Sequence, residues 1–289
     1  MINFVRYQAI GFLWIIIVCA VAGGMYWFRG GFDYSVDFTG GTEVRLKFEN
    51  PVSTLQVQTI LEQKGWKGVT LREFSSTELV VRVQEYLNDS KGLGQRIVSA
   101  LNAGLDKNNA QLLSIDSVGA SVGANLRSKA MYAFGLSLFF MLIYIAIRFK
   151  FAFAVGAVVA LFCDAMAILA VYLLMNQQFS MGTVTAILTT LGYSINDTIV
   201  IFTRIRDNLT SMRGSSLDDI INVSINQTLT RTMLTSLSTA LVVLSMFIFG
   251  GPTLKNLSIG LLMGIIFGTF SSVYVASPVM RILYKGKNS

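Results

Sequence analysis

Two aspartates within apolar stretches are the side chains best placed to do chemistry. Asp164 lies midway along one apolar run, and Asp197 lies in the second half of the next. A charged group deep in a bilayer costs several kcal/mol, so each intramembrane acid is a functional candidate. Proton relays in membranes use Asp, Glu or His, and the chain contains no histidine. The sequence therefore predicts carboxylate-based proton transfer.

Polar side chains form stripes on the fourth and fifth apolar segments. At about 100° per residue they fall on one face of each predicted helix. The fourth segment carries Thr183, Thr190, Ser194 and Asp197, and the fifth carries Thr228, Arg231, Thr235 and Ser238. Alternating spans place Asp197 and Arg231 in the same leaflet, so the two could meet. Burial disfavours a charged carboxylate and a neighbouring Arg favours it, so a changing contact could load and release a proton; a static salt bridge pinning two helices is the alternative.

Asp164 differs from Asp197 because no basic side chain of this chain is expected at its depth. We interpret it as an interhelical hydrogen-bonding group, with a secondary titrating acid as the alternative.

In the last apolar segment Gly260, Gly264 and Gly268 recur every four residues, a spacing that lets another helix approach at backbone distance. Internal packing is the favoured interpretation of this strip, and a subunit interface is the other.

The elements that must position these residues are membrane-spanning helices. The chain is 53% apolar and 13% charged, with a mean hydropathy of +0.59. About 18 or more apolar residues are needed to cross the hydrocarbon layer. Six such runs are found, near 9–28, 130–147, 151–175, 181–202, 232–250 and 257–280.

Basic residues in the short loops predict the orientation, because Lys and Arg are retained on the cytoplasmic side. They lie almost entirely on one side of the alternating segments, so both termini should be cytoplasmic. The net charge of +7 is accounted for in this way, since residues 29–129 hold 12 basic and 11 acidic side chains. Nucleic acid is therefore not an expected partner.

A soluble α+β domain is predicted between the first two spans. Alternating and helical patterns give the order strand, helix, strand, strand, helix, strand. The predicted elements are 42–48, 55–64, 68–74, 79–83, 93–105 and 111–118. This order is typical of ferredoxin-like domains. The expected organisation is a spanning helix with a short cytoplasmic N-terminus (1–28), the outer domain (29–126), and a five-helix bundle (127–289) with a cytoplasmic loop at 203–230.

Other chemistry finds no support in the sequence. It has no G-x-x-x-x-G-K-[ST] loop for a nucleotide and no histidine for a Ser-His or zinc-type hydrolase. Cys19 and Cys163 both fall within predicted spans, which argues against a disulfide framework or a zinc site. We expect no enzymatic activity, catalytic residue, cofactor or metal.

Three stretches resemble one family, the SecF subunits of the bacterial Sec protein-export machinery. They are Asp37-Phe38-Thr39-Gly40-Gly41, then Gly192-Tyr193-Ser194-Ile195-Asn196-Asp197-Thr198 running on to Arg204-Ile205-Arg206, and Leu229-Thr230-Arg231-Thr232. The first motif is suggestive alone, while the second, in the matching span, is specific. Order, spacing and six spans match over the whole chain. Thr203 and Cys163 depart from residues frequent in the family, Asp and His respectively, and the second departure weakens a relay role for Asp164.

The resemblance implies a proton-driven membrane protein of the resistance-nodulation-division type in the bacterial inner membrane, with its soluble domain periplasmic. Asp197 and Arg231 stand where the family has its proton-pathway Asp and Arg, and the polar stripes add Ser194, Thr190 and Thr235. The implied partners are SecD, which would contribute a second acidic group, the SecYEG channel, unfolded preproteins and membrane lipid, with YajC as a further candidate. The implied function is proton-driven assistance to late steps of export. A stand-alone proton-driven exporter of small molecules and a passive scaffold are the alternatives.

Overall fold

The computed structural model describes residues 2–66, 68–84, 90–105 and 108–284. It forms two compact units, Tyr34–Met131 on the one hand, and Met1–Asp33 with Tyr132–Ser289 on the other. In chain order the elements are a 3-10 turn (Val5–Tyr7), α1 (Gln8–Arg29), α2 (Val36–Thr39), β1 (Gly41–Phe48), α3 (Thr54–Gln63), β2 (Thr70–Ser75), β3 (Glu78–Val83), α4 (Ser90–Gly104), β4 (Ala110–Val118), α5 (Ala120–Arg148), α6 (Phe151–Leu174), α7 (Met181–Ser211), α8 (Leu217–Phe249), α9 (Gly251–Ser271), a π-helical turn (Ser272–Ala276) and α10 (Ser277–Leu283). The outer-domain bounds expected from the sequence, 29–126, stay a prediction.

Six helical segments of the described chain are long and apolar enough to cross a membrane, which confirms the predicted number. They are Val5–Arg29, Ala120–Arg148, Phe151–Leu174, Met181–Ser211, Leu217–Phe249 and Leu254–Leu283. The last one is α9 and α10 joined through the π-helical turn. The protein is therefore a predominantly helical, multi-pass membrane protein.

The spanning helices differ in how much of their surface lies inside the bundle. In the most apolar 18-residue stretch of α6, 61% of the residues are buried inside the protein, whereas in that of α5 only 6% are buried. Small side chains explain the central place of α6: Ala154, Ala157 and Ala160 have no exposed surface and let neighbouring helices approach closely. Asp164, on the same helix, is consequently enclosed by protein.

The segment predicted as a long cytoplasmic loop, 203–230, is mostly helical. Helix α7 continues to Ser211 and α8 begins at Leu217, so the non-helical link is residues 212–216. Hydropathy falls where a span ends, but a helix needs only its backbone hydrogen bonds and caps to continue. Ser216 supplies such a cap, because its hydroxyl accepts from the backbone N–H of Asp219 at 3.1 Å. The loop expectation was wrong for that reason.

Side-chain contacts fix the start of α8 against other helices of the bundle. The amide oxygen of Asn222 accepts from the backbone N–H of Val5 at 3.0 Å. Arg281 of α10 makes a two-point contact with Asp218, at 2.5 and 2.7 Å. Bidentate Arg–carboxylate pairs are geometrically specific, so the helix that carries Arg231 is anchored at its first turns.

The smaller unit holds a four-stranded antiparallel sheet in the order β2-β3-β1-β4. Central strand β1 pairs on both edges, with Val44 opposite Val81 on β3 and Ile115 on β4. Helices α3 and α4 cover its apolar face with fully buried side chains, including Leu61 and Ile97. The two helices and four strands follow the succession predicted from the sequence.

Candidate functional site

Asp164 and Ser194 are in direct contact at the centre of the bundle. The hydroxyl of Ser194 on α7 donates to Oδ2 of Asp164 on α6 at 2.6 Å, and neither residue is exposed. The hydroxyl of Ser271, at the end of α9, also faces this carboxyl. Asp164 is therefore the meeting point of three helices, in keeping with an interhelical hydrogen-bonding group.

Asp197 lies one helical turn beyond Ser194 but has different partners. Its exposed fraction is 2%, and its Oδ2 accepts from the hydroxyl of Ser236 on α8 at 3.5 Å. Ser236 also lies 2.7 Å from the hydroxyl of Thr269 on α9. The two acids thus occupy separate polar clusters, one between α6, α7 and α9, and the other between α7, α8 and α9.

The predicted stripe on α7 is divided between these clusters and the helix start. Ser194 belongs to Asp164 rather than to Asp197. Thr190 is buried, and its hydroxyl has no hydrogen-bond partner among the described residues. Thr183 lies in the first turn of α7, where it forms a reciprocal cap with Ser180. A single-face projection could not separate these roles, because it shows which side a residue takes and not which helix covers it.

Arg231 is exposed and forms no ion pair with Asp197 in the described part of the chain. It lies on α8 five residues before Ser236, which contacts Asp197. Thr235 donates to backbone carbonyls of its own helix, those of Arg231 and Thr232, and Ser238 is exposed. The predicted pair of Asp197 and Arg231 stays a prediction, and Ser236 holds the place beside the acid.

The glycine strip of α9 lies against the polar stripe of α7. A Cβ atom on Gly268 would stand 2.9 Å from Cβ of Ser194, and one on Gly260 would stand 2.7 Å from Cβ of Ala186. Gly264 faces Thr190 in the same way. The strip is used for packing within the chain, so Thr269 of α9 can reach Ser236 beside Asp197.

Sequence reasoning missed the hydroxyl groups that surround the two acids from α8 and from the middle of the last span, where α9 ends. Ser236 contacts Asp197 and Ser271 faces Asp164, while Thr269 and Ser272 bond the neighbouring hydroxyl groups of Ser236 and Thr198 at 2.7 and 2.9 Å. A signal was present, because Thr269, Ser271 and Ser272 fall close together in an otherwise apolar span. The π-helical turn that begins at Ser272 could not be read from hydropathy.

The Asp37-to-Gly41 motif forms a compact corner in the smaller unit. The Ser35 hydroxyl accepts from the backbone N–H of Asp37 at 3.3 Å, Thr39 donates to the Ser35 carbonyl at 3.1 Å, and Phe38 is buried. Gly40 and Gly41 adopt φ of +74° and +111°, values that favour glycine. The motif therefore sets the direction in which the chain enters β1.

An acidic side chain of β4 is perturbed by this corner. Partial burial raises the pKa of Asp116 above 3.8, the nearby Asp37 carboxylate raises it further, and Arg45 opposes the change.

Among the described residues there is no cluster of three or more His, Cys, Asp or Glu side chains that could hold a metal.

Comparison with known protein families gives two matches along the chain. Residues 97–286 match the model described as "Protein export membrane protein SecD/SecF, C-terminal". Residues 27–52 match the "SecD/SecF GG Motif". The second match contains the corner formed by Gly40 and Gly41, and the first contains both acidic clusters.

Individual relatives agree with these matches. A protein translocase subunit SecF from Thermodesulfovibrio yellowstonii is 34% identical over 98% of this chain and 94% of its own length. One from Pseudomonas aeruginosa is 35% identical, over 96% of this chain and 90% of its own length. A crystal structure of SecDF, a translocon-associated membrane protein from Thermus thermophilus, superposes with a TM-score of 0.86 at 32% identity, covering 97% of this chain and 38% of that one. The chain belongs to the SecD/SecF family of protein export membrane proteins.

Proposed function

We propose that this chain is a SecF-type subunit that works with a SecD-type partner and uses the proton gradient to drive late steps of protein export. The observation that carries the proposal is the arrangement around Asp197. A buried carboxyl accepts from Ser236 of α8, and Arg231 is exposed on that same helix, five residues before Ser236. An Arg that can approach or leave such an acid changes the acid's affinity for a proton, which is the property that proton coupling requires.

Arg231 also supports the need for a partner. A cationic side chain on the outer face of a spanning helix is costly against lipid and is normally paired. No acidic residue of the described chain forms an ion pair with it. We propose that a carboxylate from a SecD-type subunit is its partner, and that this contact alternates with an approach of Arg231 to Asp197.

The outer face of α7 supports the same partner. Its exposed residues between positions 181 and 200 are small or polar, namely Thr185, Thr189, Gly192 and Asn196. The amide of Asn196 has no hydrogen-bond partner in the described residues, whereas the exposed face of α8 carries Leu234, Leu237 and Leu241. Lipid tails cannot satisfy an amide, and small residues are enriched where spanning helices pack. This chain covers 38% of the Thermus relative named SecDF, so most of that polypeptide lies outside the matched part.

The remaining assignments follow from the family and from charge. The basic loops orient both termini to the cytoplasm of a bacterial inner membrane, so the unit with the four-stranded sheet is proposed to be a ferredoxin-like periplasmic domain. There it would meet unfolded preproteins that emerge from the SecYEG channel, with YajC as a further candidate partner. Asp197, Arg231, Ser194, Thr190 and Thr235 are the proposed proton pathway.

The test exchanges Asp197 for Asn and measures proton-gradient-stimulated release of a preprotein from membrane vesicles. We expect D197N to lose the stimulation while it still co-purifies with its SecD-type partner. The matched control is Asp207→Asn, which removes an exposed carboxylate from the same helix and should leave stimulation intact. Normal stimulation in D197N would refute proton coupling through this residue and favour a scaffold.

A further inference from the structure

Ser194 is the residue through which the two acidic clusters are joined. Its hydroxyl is held by Asp164 at 2.6 Å, and its carbonyl accepts from Ser272 at 3.3 Å. A Cβ atom on Gly268 of α9 would stand only 2.9 Å from the Cβ of Ser194, so α9 leaves no room for a side chain there. Asp197 follows Ser194 by three residues on the same helix, an axial rise of about 4.5 Å. The rotation of α7 at Ser194 therefore determines where the Asp197 carboxyl points.

We propose that Asp164 is a positioning residue that acts through Ser194 to hold Asp197 against Ser236. The consequence for export rests on the proposed function, whereas the positioning of Asp197 by Asp164 does not. The contact from Ser236 to Asp197 is 3.5 Å long, at the upper limit of a hydrogen bond. A small rotation of α7 is enough to break it, so the anchor at Ser194 governs a contact in which Asp164 takes no part.

The surroundings of Asp164 favour a hydrogen-bonding role over a charge-carrying one. Its second oxygen has no hydrogen-bond partner, and no cationic side chain pairs with it, in the described part of the chain. An ionised carboxylate enclosed in protein without a neighbouring cation is costly. Asp164 provides an oxygen that accepts the hydrogen bond from Ser194. The side-chain amide oxygen of an asparagine could accept the same hydrogen bond from the same position.

Two elements packed on α7 carry charged or titratable groups at the level of the two clusters. Helix α8, which supplies Ser236, carries Arg231, and α6 carries Asp164, which has Cys163 beside it in sequence and bonds Ser194 rather than Asp197. Helix α9 faces it with the hydroxyl of Thr269, through Ser236. A change in the rotation of α7 alters the distance from Asp197 to Arg231, so the proton affinity of Asp197 reports on its position.

The experiment measures the carboxyl stretching band of Asp197 by infrared difference spectroscopy across a pH titration of the full chain in lipid nanodiscs. The band is assigned by its loss in D197N. The variants are D164N, D164A, S194A and the double variant D164A/S194A. Interhelical hydrogen bonds in membrane bundles correspond to changes of about three- to twenty-fold, so a broken anchor should move the pH midpoint by about half a unit to just over one unit.

We expect D164N to titrate like the unaltered protein, and D164A and S194A to shift alike. The double variant should shift no further than either single one, because both remove the same contact. Equal midpoints in all variants would overturn the proposal, and so would a D164N shift as large as that of D164A, since Asp164 would then act through its own charge. Shifted midpoints in D164A with unchanged export would leave the positioning role intact and count against coupling through Asp197.

Discussion

Thr190 of α7 occupies the space that a side chain on Gly264 of α9 would need. A Cβ atom on Gly264 would lie 2.2 Å from Cγ2 of Thr190 and 2.4 Å from its hydroxyl oxygen. Such distances are far inside van der Waals contact, so α9 must withdraw if the glycine is replaced. Withdrawal would take Thr269 away from Ser236 and Ser272 away from Thr198.

We therefore predict that Gly264→Ala destabilises the chain by about 1–3 kcal/mol, the usual cost of overpacking a filled core. The measurement is the unfolding midpoint in detergent. Gly135→Ala is the matched control, because a Cβ atom at Gly135 of α5 would meet nothing within 4 Å among the described residues. It should be neutral or stabilising, since alanine is the better helix former. Equal effects in the two variants would show that the packing argument is mistaken.

The second prediction concerns Gly40 of the smaller unit, whose backbone lies close to that of Ala120. A Cβ atom on Gly40 would lie 2.5 Å from Cα of Ala120, whereas one on Gly68 would meet no described atom within 4 Å. Both glycines have a positive φ, +74° and +72°, so alanine costs about 1–2 kcal/mol of backbone strain at either site. Gly40→Ala should cost clearly more than Gly68→Ala, because backbone atoms stand in the way. Amide hydrogen exchange of β1 and β4 in the full chain measures the difference.

The raised pKa of Asp116 predicts a pH dependence of stability in the same unit. Both states are protonated below 3.8, the ordinary value, and stability is lost as pH rises from 3.8 through the raised folded pKa, because the unfolded chain releases its proton first. Asp116→Asn should remove that loss. The effect should be small, since the residue keeps contact with solvent.

The measurement for Asp116 is the protection of β4 amides against exchange, corrected for the intrinsic effect of pH. Asp37→Asn should reduce the slope in the same direction but by less, because burial contributes more to the shift than Asp37 does. A slope in Asp116→Asn that equals the slope of the unaltered chain would contradict the assignment.

Much of the fold could be predicted because its signals are local. Apolar length defined the six spans, and alternating or helical periodicity defined the elements of the sheet unit. The helical continuation of α7 to Ser211 and the start of α8 at Leu217 were not predicted, since hydropathy marks the edge of a membrane and not the end of a helix. Asp197 was predicted as an acid inside a span, and the structure buries it, but the residue beside it was not predicted. Ser236 reaches Asp197 from another helix, and a contact of that kind depends on packing that no single helix encodes.

The small, polar outer face of α7 makes the last prediction, which concerns the SecD-type partner. Gly192 is exposed, and a Cβ atom there would meet nothing within 4 Å in the described structure. Gly192→Leu should therefore leave this chain folded and yet keep a partner helix from approaching, because small residues allow the closest contact between spanning helices. Recovery of the SecD-type subunit with the tagged chain should fall, while the unfolding midpoint of the chain alone stays unchanged.

Gly135→Leu on α5 is the control for Gly192→Leu, since it places the same side chain at an exposed glycine of another spanning helix that also has open space around it. If Gly135→Leu lowers recovery of the partner as much as Gly192→Leu does, the effect belongs to bulk on the membrane surface in general, and α7 loses its claim to be the interface. If neither lowers it, the amide of Asn196 and the exposed Arg231 must find their partners elsewhere, and the face that meets the SecD-type subunit has to be sought on another helix.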